Sequence, residues 1–174
     1  MRSAPDTRGF TLVELMLALA IAGIVLAVGV PGLGAWLAEQ ELQDRADALR
    51  HALDFARSEA IKRGGRVDLC PGSGSCSGGA VPWEGGWVVV ADSARGSGSP
   101  SIARERRAPP GITIRGNRPV ADYVSYTSLG QARRFDGALQ MGTFIVCRSG
   151  QRARRVVLAA SGRVRVEAST EACP

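Results

Sequence analysis

Residues 8–30 read RGFTLVELMLALAIAGIVLAVGV, and this stretch decides what kind of chain carries it. From Leu12 to Val30 every side chain is apolar or small except Glu14. About twenty such residues, rising 1.5 Å each in a helix, match a hydrocarbon core of ~30 Å. The reading is a membrane span. Arg2 and Arg8 precede it and no basic residue follows until Arg45, so the excess of positive charge places the N-terminus in the cytoplasm and the bulk of the chain outside. A secretory signal peptide also has a basic head and an apolar run. Glu14 speaks against that alternative, because an acidic residue costs roughly 2.5–3.5 kcal/mol at the centre of a spanning helix, less towards its edge, and usually marks a function.

Working outward, Gly23, Gly29, Pro31, Gly32 and Gly34 cluster in the second half of the segment, where Pro removes a backbone donor and Gly adds entropy loss. A kink or local melting is expected near Pro31; the alternative is a proline that merely ends the span. From Trp36 to Lys62, Leu42, Ala46, Leu49, Leu53, Ala56 and Ala60 recur in steps of four and three, with charged residues on the other faces. That is an amphipathic helix, with Gly64-Gly65 as its stop signal. His51, the only histidine, sits on it as a surface or packing residue.

After Gly65 the pattern changes to short β-prone runs: 67–69, 87–90, 112–114, 123–126, 143–147, 156–159 and 164–166, punctuated by Gly, Pro, Ser and Asn. The fold class is therefore α+β, a long N-terminal helix packed on one or two antiparallel β-sheets. Residues 91–111, with their Ser/Gly content and Pro109-Pro110, read as a long mobile loop. At 174 residues the chain has room for one domain and an appendage rather than two cores. The expected segments are 1–9, 10–35, 36–63 and 64–174.

Four cysteines, Cys70, Cys76, Cys147 and Cys173, permit three pairings. Spacing favours Cys70 with Cys76, closing a Gly/Ser loop, and Cys147 with Cys173, tying down the C-terminus, in an oxidising compartment. The alternative is four reduced thiols. The spacings do not form two close ligand pairs and only one histidine is available, so no metal site is expected. The Gly72–Gly79 run lacks the Gly-Lys-Ser/Thr ending of a phosphate cradle. One histidine also leaves no Ser/His/Asp or Cys/His constellation, so no catalytic residues and no cofactor are expected.

Net charge is +6, and every basic residue but Lys62 is arginine. Such a balance favours acidic partners. Positive charge gathers at the C-terminal end, where Arg148, Arg152, Arg154, Arg155, Arg163 and Arg165 face only Glu167 and Glu171. If 163–167 is a strand, Arg163 and Arg165 share a face about 6.7 Å apart, suited to neighbouring phosphates of one nucleic-acid strand. The plain alternative is a solvated hairpin whose arginines keep an edge strand from aggregating.

Arg8-Gly9-Phe10-Thr11-Leu12-Val13-Glu14-Leu15 resembles the type IV prepilin processing motif. The resemblance implies cleavage between Gly9 and Phe10 by a prepilin peptidase, N-methylation of Phe10, assembly through Glu14, and a helix bend at Pro31. Glu14 paired with the terminal amine of a neighbouring Phe10 would remove an unpaired charge from an apolar bundle. Leu69-Cys70-Pro71 with Cys76, Gly86-Trp87-Val88-Val89, Arg155-Val156-Val157-Leu158 and Ser161-Gly162-Arg163-Val164-Arg165 further resemble the GspH/FimT branch of pilin-like proteins. That branch holds minor pilins of type IV pili and the minor pseudopilin H of type II secretion. Gly162 to Arg165 resembles a Gly-Arg-x-Arg run that in FimT-type minor pilins is associated with binding DNA during natural transformation, which makes double-stranded DNA an implied partner. The resemblance thus implies a minor pilin at or near a pilus tip, with Arg163 and Arg165 on phosphates supported by Arg152, Arg154 and Arg155. The alternative it leaves open is a structural pseudopilin with no nucleic-acid ligand. Either way the implied partners are other pilin subunits, the peptidase and the bacterial inner membrane.

Overall fold

A computed structural model of the protein describes residues 11–72, 76, 81–91, 101–105 and 107–173. It divides into two compact units, the first ending at Ala38 and the second running from Glu39. Helix α1 (Leu12–Arg63) contributes to both. In the first unit Leu12, Val13, Met16, Leu19, Ile24 and Val25 are all exposed. Among the described residues no single helix is long and apolar enough to cross a membrane; Leu12–Ala27 and Gly32–Arg63, with a break between them, pass together by length and composition.

The second unit holds the folded core. The stripe Leu42, Ala46, Leu49, Leu53, Ala56 and Ala60 is fully buried, as the step of four and three requires of one helix face. Gly64, at φ 62°, ends the helix where Gly65 N–H bonds Ala60 O at 3.3 Å; glycine takes this left-handed conformation without the cost of a Cβ.

Eight strands follow: β1 (Val67–Pro71), β2 (Trp87–Ala91), β3 (Ser101–Glu105), β4 (Ile112–Gly116), β5 (Val124–Tyr126), β6 (Gly142–Arg148), β7 (Arg152–Leu158) and β8 (Val164–Ala172). They make two antiparallel sheets, ordered β3-β2-β1-β5 and β4-β6-β7-β8. The helix stripe shares one core with Val67, Leu69, Trp87 and Val89 of the first sheet and Ile114, Phe144, Val146, Val156 and Leu158 of the second. Trp83 meets Phe144 edge-on, ring centroids 5.0 Å apart, and donates its indole N–H to Ala121 O at 2.8 Å. The other face of the first sheet is covered too, by a small cluster of Cys70, Cys76, Val88, Val90, Tyr123 and Phe135. Burial on both faces explains why Val88-Val89-Val90 is a continuous apolar run rather than an alternation.

The stretch 91–111, expected as one long mobile loop, contains β3, which pairs with β2 from Trp87↔Glu105 to Val90↔Ser101. Its sequence, SIARE, has one β-branched apolar residue and gives almost no strand signal. What holds it is tertiary: Ile102 and Ala103 pack on the core, and Arg45 from the helix reaches Glu105 at 3.2 Å while stacking on Trp87 at 4.4 Å. Burial of Arg45 pulls its pKa below the ordinary value, against the opposing pull of Glu105.

Both disulfides are present as Cys70–Cys76 and Cys147–Cys173. Gln140 is fully buried and satisfied: its carbonyl accepts Ser125 N–H at 2.9 Å, and its amide donates to Pro119 O at 2.7 Å and Tyr123 O at 2.8 Å. It replaces ladder bonds that the 3₁₀ turn Arg118–Val120 and short β5 cannot make for themselves.

Candidate functional site

The arginine-rich C-terminal segment folds as the β7–β8 hairpin. Its turn is a three-residue loop: Ala159 N–H bonds Arg163 O and Gly162 N–H bonds Ala159 O, each at 2.9 Å. A type I turn closed by a left-handed residue needs glycine at that residue, and Gly162 has φ 82°. A second constraint acts there. A Cβ on Gly162 would lie 2.0 Å from Gly130 O and 3.1 Å from Arg57 Nε, and Arg57 donates to that same Gly130 carbonyl at 2.9 Å. The glycine of the Gly-Arg-x-Arg run therefore serves the fold, seating the hairpin turn against the 127–131 turn and the helix.

Strand alternation then sorts the arginines. Val156 and Leu158 are buried, so Arg155 and Val157 point to the opposite, outer face. Cross-strand register makes one outer row of Arg115, Ile145, Arg155 and Glu167, and a second of Thr143, Val157 and Arg165. Neighbours in a row sit about 5 Å apart and diagonal ones roughly 7–8 Å, so Arg155 and Arg165 are close neighbours around Glu167. Arg163, exposed and one residue ahead of β8, adds a third cation on the same parity. Beside the row lies a shallow depression of about 460 Å³ lined by Arg115, Asn117, Thr143, Ile145, Arg155 and Glu171.

Several charges are already compensated. Arg165 pairs with Glu167. Arg115 Nη1 donates to both carboxylate oxygens of Glu84, at 2.5 and 2.6 Å, and Glu84 also accepts Ile114 N–H at 3.3 Å. Burial opposes ionisation of Glu84, but the bonds from Arg115 and backbone N–H groups outweigh it and hold the carboxyl below its ordinary range. Its contribution to stability is full at neutral pH and is lost as pH falls through that lowered pKa.

Arg154, expected as a supporting cation, has the opposite parity to Arg155 and pairs with Glu39 of α1, while Arg148 pairs with Glu41. These two bonds clip β6 and β7 to the helix and take both arginines out of the basic face. Among the described residues Arg152, Arg155 and Arg163 make no ion pair. The sequence grouped Arg152, Arg154 and Arg155 together; the signal that separates them is the parity of Val156 and Leu158, readable once β7 is known to be a strand.

Of the processing residues, Gly9 and Phe10 lie outside the described residues. Glu14 is exposed in the first turn of α1, its N–H bonded to Thr11 Oγ1 at 3.3 Å. Pro31 falls within α1, between the stretches Leu12–Ala27 and Gly32–Arg63. His51 is exposed beside Arg50. No cluster of His, Cys, Asp or Glu able to hold a metal occurs among the described residues.

Comparison with known proteins agrees with this architecture. The chain matches the family model described as type II transport protein GspH over residues 45–162, more than half its length, and the prokaryotic N-terminal methylation motif over residues 5–30. No curated protein sequence matches it. Among solved structures it is similar to the type IV minor pilin FimU of Pseudomonas aeruginosa, at 20% identity and TM-score 0.62, covering 78% of this chain and 98% of that one. It is also similar to the minor pseudopilin EpsH from the type 2 secretion system of Vibrio cholerae, at 16% identity and TM-score 0.54, covering 75% and 99%. At these identities the likeness is one of fold: a helix packed on antiparallel sheets. On the family-model match over most of its folded part and the methylation motif at its head, the chain belongs to the GspH family of pilin-like proteins.

Proposed function

We infer that the chain is a minor subunit of a type IV pilus, placed at or near the tip, whose basic hairpin face binds double-stranded DNA without sequence preference during uptake. Before processing it spans the bacterial inner membrane once with its N-terminus in the cytoplasm. A prepilin peptidase cuts between Gly9 and Phe10, Phe10 is methylated, and Glu14 carries assembly with the other pilin subunits. Pro31 lets the helix bend or unwind in the filament. The observation that carries the DNA reading is the grouping of Arg155, Arg163 and Arg165 on one outer face, with Arg155 and Arg163 free of ion pairs. An arginine-bearing sheet face suits phosphates rather than base edges.

A gel shift with double-stranded DNA tests this, using the fragment that begins at Trp36; every fully buried core residue and both disulfides lie beyond that point. Arg155→Ala with Arg163→Ala and Arg165→Ala is expected to weaken binding at least tenfold at low salt and to flatten the slope of log K against log salt by roughly two to three. Arg154→Ala should leave binding within about twofold, because that guanidinium is engaged with Glu39. Its cost falls on stability instead, on the order of 1 kcal/mol for a partly exposed pair. No binding by the unsubstituted fragment removes the DNA reading.

A second reading has its own support. The matching family model is described as type II transport protein GspH, and the fold is shared with a secretion pseudopilin. A structural pseudopilin of a type II secretion system, with no nucleic-acid ligand, follows if the fragment binds no DNA. Deletion of the gene then stops protein secretion and leaves transformation intact.

A further inference from the structure

Among the described residues four arginines of the β4-β6-β7-β8 sheet stand in ion pairs, and three of those pairs join separate elements of the fold. Arg148 and Arg154 reach Glu41 and Glu39 of α1, and Arg115 of β4 reaches Glu84 of the 3₁₀ turn Trp83–Gly85. The fourth joins nothing. Arg165 Nε–H donates to Glu167, two residues along the same strand, and the two side chains are 64% and 39% exposed. An exposed pair of this kind adds next to nothing to stability. Glu167 also stands opposite Arg155 in the β7–β8 register. One carboxylate therefore sits between two of the three cations of the outer face.

We propose that Glu167 is a built-in competitor for phosphate, which holds the affinity of the basic face low enough for its ligand to be released; the inference rests on the reading of that face as a DNA site. A guanidinium binds carboxylate and phosphate through the same N–H groups. In the free chain Glu167 takes the Nε–H that Arg165 would offer to a phosphate, and its charge offsets one of the three cations. Arg163, exposed and without an ion pair, and Arg155 are open to the first phosphates that arrive. Arg165 joins them only when a phosphate displaces the carboxylate, and on departure the carboxylate closes on Arg165 again. Release is thereby assisted from within the site, as uptake requires of a surface that must let go of each stretch of duplex it holds.

The same strand supplies its own control. Glu171 lines the depression beside Arg155 but makes no ion pair among the described residues. Removing its charge changes the net charge of the face by the same amount as removing that of Glu167, yet frees no arginine. The structural alternative is that Glu167 only guards the open edge of β8, where charged residues discourage pairing with other strands. That role leaves DNA affinity where it is.

Fluorescence anisotropy of a labelled DNA duplex with the Trp36–Pro174 fragment decides between them. Glu167→Gln is expected to bind about tenfold more tightly at low salt, chiefly through slower dissociation into competitor duplex, and to steepen the slope of log K against log salt by up to about 0.9, the contribution of one further phosphate contact. Glu171→Gln is expected to gain less than twofold. Thermal unfolding of each variant within about 2 °C of the unsubstituted fragment assigns the change to the surface rather than the fold. If the unsubstituted fragment binds duplex and Glu167→Gln binds no more tightly, this inference is overturned and the DNA reading stands. Equal gains from Glu167→Gln and Glu171→Gln assign the effect to overall charge and overturn it as well. If the unsubstituted fragment binds no duplex, the DNA reading falls and this inference falls with it.

Discussion

Gly162→Ala is expected to lower the melting temperature of the Trp36–Pro174 fragment by about 10 °C. Two costs combine. The backbone at Gly162 is held at φ 82° by the three-residue turn, and a non-glycine residue forced into such a region costs on the order of 1–3 kcal/mol. The added Cβ would also fall 2.0 Å from Gly130 O, a backbone atom that Arg57 holds in place, so no flexible side chain can yield. The turn must move away from the 127–131 loop, loosening the Arg57 bond. With roughly 3 kcal/mol lost in a domain of this size, a shift near 10 °C follows. Thermal unfolding followed by circular dichroism measures it. The same variant is a control for the DNA reading: loss of binding in Gly162→Ala that tracks unfolding, and vanishes when binding is measured well below the melting point, marks the glycine as structural. By contrast Gly150→Ala, at φ 79° but in open space, pays the backbone cost alone.

Replacing Cys147 and Cys173 together by serine is expected to cost about 3.5 kcal/mol, against about 2.2 kcal/mol for Cys70 with Cys76. Both figures come from loop closure in the unfolded chain. The first bridge spans 26 residues and the second 6, and a longer loop forbids more unfolded conformations. The native consequences differ in the same direction. Cys173 is tied to β6 across the start of β7, where its N–H bonds Gln151 O at 3.0 Å. Losing this tie loosens the distal part of β8, which beyond Ala168 is held to β7 by the shifted pairing at Ala172 and the Cys173–Gln151 bond. Urea denaturation of the two double variants checks the order, and equal midpoints would refute the loop-length argument. Hydrogen exchange adds a local readout: amides of 169–173 should lose protection in the Cys147/Cys173 variant, and those of Arg165 and Glu167, which face β7, should keep it.

Much of the architecture was legible before any coordinates. The steps of four and three from Leu42 to Ala60 can only be one face of a helix, and all six residues are fully buried. Seven of the eight strands carry β-branched or aromatic runs that announce themselves. β3 does not, because SIARE owes its strand conformation to Arg45 and to the unpaired edge of β2 rather than to its own composition. Gln140 was invisible for a related reason: a polar residue between Leu139 and Met141 looks like solvent-exposed loop until three backbone groups are seen to converge on it.

For function the division is sharper. The sequence by itself determined the class of protein, because Arg8 to Leu15, with Glu14 inside an apolar run, resembles the prepilin processing motif whatever fold follows it. It also determined the excess of arginine near the C-terminus, and its cysteine spacing favoured the two pairings that the structure contains. Only the tertiary structure decided which arginines are available. Sequence places Arg154 and Arg155 side by side, but a strand turns successive side chains to opposite faces. The helix then supplies Glu39 on one of those faces and solvent is left on the other. Likewise the run Gly162-Arg163-Val164-Arg165 looks like one motif in the sequence, and the fold separates it into a glycine fixed by close packing against Gly130, a free cation at Arg163, and a paired one at Arg165. A charge's availability depends on what stands opposite it in space, which neighbouring residues in the chain do not reveal.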